Sequence, residues 1–377
     1  MRPLPPELVS PLPPLFAGWI GEILQQPVPE EARATCLDCA MCNRDQREPA
    51  AQEVFFNPNT KCCTYHPDLP NFLAGRILAD NSPAMQEGRR RLLSRLSGPA
   101  VVRPQGVFPS LEEGARHTVL NPNFGHDETM LCPYFLEDGL CGIWQHRNAR
   151  CSTWFCKHTR GSVGRDFWRT LKTFLAAVEQ HLAAWCIHRL EAGTNSFREL
   201  FPPPGAPDLE LFQRQQTFFY RSALPSDWIS RPEAEELKRM MWGRWLDREP
   251  LFFQECSSAV SGLDWGQVAA IGGHALRHGE AALQEAFATW LNDEVPPVLE
   301  AASYRMIPLD DNVVRVWAYS NYDPVDLPKS AIEALQHFDG RSTDDAISCA
   351  AGGNPPLSRD LVRTMCDFGI LKPATSH

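Results

Sequence analysis

Nine of the chain's thirteen cysteines lie between Cys36 and Cys156, and the spacing of several suits metal ligation. Cys36-Leu-Asp-Cys39-Ala-Met-Cys42 is a C-x2-C-x2-C run, followed by the vicinal pair Cys62-Cys63 and then by Cys132, Cys141, Cys151 and Cys156. A two-residue spacer turns successive thiolates toward one centre. Three thiolates from one short loop suit a cubane iron–sulfur cluster whose fourth ligand arrives from elsewhere. Zinc also accepts four thiolates, so ligand type leaves both metals open. All nine cysteines are therefore candidate metal ligands, with a [4Fe–4S]-type cluster preferred and zinc the alternative. Taken in sequence order, Cys36, Cys39 and Cys42 with one of Cys62 and Cys63 would hold one centre. Cys132, Cys141, Cys151 and Cys156 would hold another, although ligands from the two blocks could interleave.

Two more specific readings are absent. The C-x3-C-x2-C spacing of radical enzymes does not occur, and the complete ferredoxin run is broken because Gln46 stands where the fourth cysteine would be. A disulfide framework is disfavoured by the odd cysteine count and by an N-terminus whose frequent prolines and lack of a long apolar core are unlike a secretory signal. Thiols kept reduced point to the cytoplasm. No apolar run reaches about 18 residues, so no membrane span is expected. The net charge of −10 argues against nucleic acid as a partner.

Against that acidic background the end of the cysteine block is basic. Arg147, Arg150, Lys157, Arg160, Arg165 and Arg169 face only Asp166 over the same stretch. They would balance the charge of thiolate ligands. A sharper reading makes Arg147, Arg150, Lys157 and Arg160 an anion- or cofactor-binding set beside the metal. His66, His126, His146 and His158 lie in the same block and read as surface or loop residues, with His158 the best candidate for a supporting role beside Cys156. His274 and His278 share a helix face without an H-E-x-x-H pattern. Cys186, Cys349 and Cys366 read as core thiols, and Cys256 has no His or Asp at a spacing that would make it a nucleophile. Polar Asn121–Asp127 could approach a ligand or simply turn the chain. Phosphate-binding loops, dinucleotide fingerprints and nucleophile elbows are absent. The catalytic residues, if any, are unknown.

These residues need elements to carry them. The expected fold class is α+β and predominantly helical. Its parts are a proline-rich segment 1–35, a loop-dominated cysteine-rich metal domain 36–160, a helical domain 161–300 and a small winged-helix-like module 301–377. In the first segment Leu15, Phe16, Trp19 and Ile23 suggest a turn or two of amphipathic helix. A helix is expected over Met85–Leu96. Phe167, Leu171, Phe174, Leu175, Val178, Leu182, Trp185 and Leu190 recur at three- and four-residue steps, which predicts one long amphipathic helix. Ser230, three residues before Glu233 and followed by Pro232, reads as a capping box. Two helices are expected over Gly266–Arg277 and Glu280–Asn292. Val313–Ser320 alternates as a strand. Helices should follow Pro328, Ser342 and Ser358, with Gly369 closing the last and Ile370-Leu371 returning as a strand.

The second cysteine block, with C-P-x-F/Y-L, C-x-I-x-x-H-R and a further cysteine, resembles the YkgJ-type zinc- or iron-chelating cysteine-cluster family over residues 36–160. Cys62, Cys63, Cys132, Cys141, Cys151 and Arg147 stand at matching positions, while the usual HRP triplet is HRN here. The resemblance implies metal binding and little else, and the additional C-x2-C-x2-C run with Cys156 suggests a second site. Leu335, Asp339, Gly340, Ser342, Met365, Gly369 and Leu371 give the C-terminus a looser resemblance to PqqD-like winged-helix modules. That resemblance implies recognition of a peptide or protein partner. Three functions remain open at this point: a cluster-binding protein, a cluster-dependent enzyme acting on a peptide or small substrate docked by the C-terminal module, and a zinc-stapled interaction protein.

Overall fold

The long apolar stripes of this sequence become helices and its β-branched runs become short strands. In a computed structural model, which describes residues 12–34, 36, 39–42, 54–98, 100–120, 123–202, 213–215, 217–218 and 230–374, the chain is α+β and mainly helical. It divides into two compact units, neither of them one continuous stretch. The first takes 1–29, 56–154 and 171–282; the second takes 30–55, 155–170 and 283–377. The cysteine-rich region is thus shared between the units, with Cys36, Cys39, Cys42 and Cys156 in one and Cys62, Cys63, Cys132, Cys141 and Cys151 in the other.

The first unit opens with α1 (Pro14–Leu24), three turns long, which buries Phe16, Trp19 and Ile20. Trp19 donates its indole N–H to the Leu263 carbonyl at 2.8 Å. Strands β1 (Leu69–Pro70), β2 (Val101–Arg103) and β3 (Gly106–Phe108) form a small antiparallel sheet in the order β1-β3-β2, with α2 (Asn71–Ala79) and α3 (Gln86–Leu96) between β1 and β2. Next come α4 (Leu111–Leu120), the single turn α5 (Ala149–Ser152) and the long α6 (Gly161–Arg189), which belongs to this unit from Leu171 onward and to the second unit before it. Of the stripe expected of α6, Phe167, Leu171, Phe174, Leu175, Val178 and Leu182 are buried, whereas Trp185 is half-buried and Leu190 lies just beyond the helix and is half-buried.

A short α7 (Asn195–Arg198) leads to α8 (Arg231–Trp242) and α9 (Glu249–Ser261). Ser230 makes no side-chain capping bond, so the start of α8 rests on Pro232 in its first turn. Helices were expected over Gly266–Arg277 and Glu280–Asn292; α10 (Trp265–Leu291) is two helical stretches that meet at Gly273, whose φ of 58° only glycine adopts readily, so the break comes earlier than expected. Asn71, fully buried, shows how polar groups are admitted to this core. Its amide donates to Pro104 O at 2.8 Å and Ala183 O at 3.0 Å, while its oxygen accepts from Phe72 N at 2.7 Å.

In the second unit, β4 (Val298–Ala301) is followed by the antiparallel sheet β5 (Arg305–Pro308), β6 (Val313–Trp317) and β7 (Val325–Pro328). The chain continues through α11 (Lys329–Glu333), β8 (Asp339–Ser342), α12 (Thr343–Cys349), α13 (Arg359–Asp367) and β9 (Leu371–Pro373). β4 lies between β8 and β9. Ser342 and Ser358 cap α12 and α13 as the sequence indicates, accepting from Asp345 N and Leu361 N. Leu299, Val314, Val316, Leu327, Val362 and Met365 form the core. Cys349 is exposed rather than buried, and its sulfur accepts from Arg341 at 3.2 Å. No helix among the described residues is long and apolar enough to cross a membrane.

The closest approach of two helices in the first unit sets a sharp test. A Cβ on Gly75 of α2 would lie 1.7 Å from the Phe253 carbonyl oxygen of α9, whereas a Cβ on Gly21 of α1 would meet nothing within 4 Å. Gly75→Ala should therefore lower stability by roughly 3 kcal/mol or more. Gly21→Ala should raise it by about 0.5–1 kcal/mol through helix propensity. Urea midpoints of the two variants check this, and similar shifts for both would refute the packing.

Candidate metal centre

The thiols of the first unit sit on irregular backbone that hydrogen bonds pin in place. Cys62 and Cys63 close a turn in which Cys63 N donates to Thr60 O at 3.0 Å, and Thr60 in turn donates its hydroxyl to Gly125 O at 2.9 Å. Cys132 N donates to Cys63 O at 2.8 Å, which stitches the second cysteine block to the first. The chain then folds back on itself between Cys132 and Cys141. Gly142 N donates to Tyr134 O and Leu136 N to Leu140 O, both at 2.8 Å, with Gly139 at φ 78° in the bend. Lys61 donates to Gly139 O at 2.8 Å and holds this bend against the Cys62 turn.

Cys151 is carried by α5. Asn148 caps that turn, accepting from Cys151 N at 2.9 Å and donating to Asp68 O at 2.8 Å. Arg147 lies over the Trp144 ring, 3.4 Å from its centroid, and donates to the Trp144 and Cys151 carbonyls. Arg150 lies 4.7 Å over Tyr65. Glu179 of α6 accepts from Ala149 N, the first residue of α5, at 2.6 Å. No sequence pattern had selected Glu179, yet a signal exists: it is an acid placed between Val178 and Leu182, in the apolar stretch of α6.

Electrostatics link four of these thiols. Burial pushes the Cys132 thiol well up, and Cys141 and Cys151 push it further. Burial likewise raises Cys151, with Cys141 and Cys62 adding to it and Arg147 opposing. Cys62, Cys132, Cys141 and Cys151 are thus near enough that each charge would be felt by another. Arg95, which also lowers Cys132, is bound to Glu113 at 2.5 and 2.9 Å, and Glu113 takes His66 Nδ1 at 3.1 Å. His146 is occupied by Asp80 at 2.8 Å, and His126 packs edge-on against Phe56.

The second unit holds Cys36, Cys39, Cys42 and Cys156. Cys42 N donates to Cys39 O at 3.1 Å, forming the turn that the two-residue spacer implies. Beyond Cys156 the backbone is anchored by buried acids. His158 N donates to Asp323 at 2.8 Å and Thr159 N to Glu31 at 2.5 Å. Asp323, 1% exposed, also receives Arg33 at 3.1 Å and the Tyr319 hydroxyl. Burial pushes His158 down to about 4, outweighing the pull of Asp323, so its ring is neutral at pH 7. Burial raises Glu31, against the opposing bonds from Thr159 and the Trp168 indole. Ala40, Met41 and Lys157 line one cleft, so the Cys39–Cys42 turn and the residue after Cys156 meet there.

The grouping taken from sequence order is therefore redistributed. Cys62 neighbours the Cys132, Cys141 and Cys151 set, and Cys156 belongs to the unit that contains Cys36, Cys39 and Cys42. All thirteen cysteines are thiols. Among the described residues no three His, Cys, Asp or Glu side chains are drawn together closely enough to hold a metal ion as they stand. Of the four basic residues expected to bind an anion, Arg147 and Arg150 are in the first unit and Lys157 and Arg160 in the second. Arg160 makes a two-pronged bond to Asp367 and also donates to the Asn292 carbonyl at 2.9 Å. His274 and His278 stack face to face, and Cys186 and Cys256 are buried together, where the Cys186 thiol contacts Cys256 O. Asn121 and Pro122 lie outside the described residues; within the rest of that loop Asp127 caps a single turn by accepting from Thr129 N.

Glu179 yields a pH test. Burial raises its carboxyl to about 8, against the opposing bond from Ala149 N, so the folded chain holds this proton where the unfolded chain has lost it. The stability it contributes is complete below the ordinary carboxylate value and is lost as pH rises toward 8. Glu179→Gln keeps an acceptor for Ala149 N and cannot ionise. Relative to wild type, it should gain stability between pH 5 and 8 by up to about 1.4 kcal/mol per pH unit. Parallel urea midpoints for the two proteins at both pH values would refute a protonated Glu179.

Set against family models, curated proteins and solved structures, the chain matches none of them.

Proposed function

We propose that this chain is a metal-binding protein of the reducing cytoplasm carrying two thiolate centres. Cys62, Cys132, Cys141 and Cys151 would hold one, and Cys36, Cys39, Cys42 and Cys156 the other, with Cys63 as a spare beside the first. The observation that carries this reading is the gathering of thiols from separately anchored loops: the Cys132 amide bonds the Cys63 carbonyl, Cys132 feels Cys141 and Cys151, and Cys151 feels Cys141 and Cys62. Neutral buried thiols need no such gathering for packing alone, and Cys186 and Cys256 fill core space without a third cysteine. The donor set fits a metal in its chemistry. A cation would offset the burial, and the smaller repulsion from neighbouring thiols, that raises Cys132 and Cys151, and would make the thiolate the favoured form. Arg147, held at the Cys151 carbonyl, adds positive charge on the protein side. The resemblance to the YkgJ-type family agrees with this set residue for residue at Cys62, Cys132, Cys141 and Cys151.

An iron–sulfur cluster of the [4Fe–4S] type is the preferred occupant, because three thiols from one short loop are a cluster arrangement and two four-thiol sets use eight of the nine cysteines. Zinc is the alternative. The C-terminal elements α11–β8–α12–α13–β9, with the β5-β6-β7 sheet before them, support a winged-helix-like module of PqqD-like type, and with it a peptide or protein partner. Such a partner would make the chain either the carrier of a centre or an enzyme acting on a docked peptide.

Anaerobic purification should yield a brown protein whose visible absorption bleaches on oxidation, with iron and sulfide in equal amounts. Cys151→Ser and Cys39→Ser should each remove about half of the iron, and the double variant nearly all. A colourless sample with stoichiometric zinc would overturn the cluster. Loss of all metal in either single variant would overturn two independent centres. A chain that binds no metal at all would overturn the reading itself.

A further inference from the structure

The thiolate centres leave two histidines of the first unit unused. His274 and His278 stand four residues apart on the stretch of α10 that follows the break at Gly273. On a helix that spacing puts both side chains on one face, with Cβ atoms about 5–6 Å apart. Both residues are exposed, and their rings lie 6.4 Å apart between centroids and within 5° of parallel. Among the described residues neither ring takes part in a hydrogen bond or an ion pair. His66, His146, His158 and His188, by contrast, each have a polar partner.

Rings in this arrangement are close to a chelate. A metal–imidazole bond of about 2.0–2.1 Å puts each ring centroid roughly 3 Å from the ion, so two rings on one tetrahedral ion have centroids about 5 Å apart. The pair therefore has to close by roughly 1 Å, which side-chain rotation supplies when both residues are exposed. Ala275 stands where the glutamate of an H-E-x-x-H motif would be. In that motif the histidines are the ligands and the glutamate is the general base. Its absence here removes the metalloprotease reading and leaves the chelate. No third His, Cys, Asp or Glu joins the pair among the described residues, so water would fill the remaining positions. Imidazole nitrogen suits Zn²⁺, Ni²⁺ and Cu²⁺, whereas Mg²⁺ and Ca²⁺ take oxygen.

We propose that His274 and His278 form a two-imidazole chelate on the surface of the first unit, binding one borderline divalent cation of the Zn²⁺ and Ni²⁺ class. The helix holds both ligands on one face, so the second imidazole meets the ion at high effective concentration and little ordering is left to be done. Two neutral ligands leave the ion its full charge and open positions, which makes this an exchangeable site rather than a closed structural one. The bound ion would also pin the first turn of α10 beyond Gly273, since His274 follows directly on the break. The chelate borrows no residue from the cysteine sets and does not depend on them.

Calorimetric titration of Ni²⁺ into the full chain as purified tests this, with iron and zinc counted before and after so that exchange at the cysteines is seen. Wild type should take up one more Ni²⁺ than His274→Ala or His278→Ala, bound at least about tenfold more tightly than any nickel left in those variants. Both side chains are exposed, so neither substitution should move the urea midpoint measured in chelator. Ala281 is exposed as well, and Ala281→His added to His274→Ala sets imidazoles at positions 278 and 281, again on one face, which should restore the uptake. Excess Mg²⁺ should not compete. Equal uptake by wild type and both single variants would overturn the proposal. So would nickel uptake that disappears with Cys151→Ser and Cys39→Ser instead, or failure of Ala281→His to restore any of it.

Discussion

Four thiols brought within electrostatic reach of one another in a buried place are a constraint before they are a site. Burial disfavours the thiolate, and each neighbour's charge disfavours it further, as Cys132 and Cys151 both register. Regular secondary structure organises little of this region beyond the single turn α5 and the bridge between Phe135 and Cys141. The loops must instead satisfy their own backbone groups locally. They do so through Cys132 N on Cys63 O, Asn148 on Cys151 N, Lys61 on Gly139 O and Glu179 on Ala149 N. Much of the first unit can be understood as the scaffold for those few bonds. α6 brings Glu179, and β1 follows directly on Asp68, whose carbonyl receives Asn148.

The second unit solves a related problem with buried acids instead of buried thiols. Asp323 accepts from a backbone amide, a tyrosine hydroxyl and an arginine, which is the way a fully buried carboxylate avoids the cost of lost hydration. Glu31 accepts from the Thr159 amide and the Trp168 indole, and burial raises its carboxyl against those bonds. Both acids serve the same stretch, since Asp323 fixes His158 and Glu31 fixes Thr159, directly after Cys156. The segment that follows Cys156 is therefore held through its main-chain amides at His158 and Thr159.

What could be read from the sequence follows from which forces have a period. The stripe of α6, the caps at Ser342 and Ser358, and the strand at Val313 were legible because helix and strand repeat every few residues and a cap is a local bond. α2 went unseen: its buried face, Phe72, Leu73, Ala74, Ile77 and Leu78, is nearly all apolar and short, so it has no polar side from which a period could be recognised. The break within α10 falls at Gly273, earlier than anticipated, because glycine alone takes up the non-helical φ of 58° there and the apolar pattern does not mark it. The candidate ligands were legible as a set, because cysteine is rare and its clustering informative. Their partition was not. Sequence order placed Cys156 with Cys132, yet the chain passes from one unit to the other between Trp154 and Phe155.

The basic residues make the same point from the opposite direction. Arg147, Arg150, Lys157 and Arg160 look like one patch when written in a line, and a linear count of charge cannot tell a ligand from a strut. In the fold Arg160 is a strut: its guanidinium closes on Asp367 and on carbonyls at the end of α10, where the start of α6 meets the end of α13. Gly161 makes that meeting possible, since its φ of 49° and the 2.5 Å that would separate a Cβ from the Asp367 oxygen exclude any side chain there. Arg147 is a strut for the Cys151 turn. Lys157 alone opens into a cleft, and the arginines that share the cleft come from positions 33 and 315. Local positive charge in an acidic chain is thus assembled by the fold from three distant segments. Such a neighbourhood has no sequence signature, because it exists only once the chain has closed.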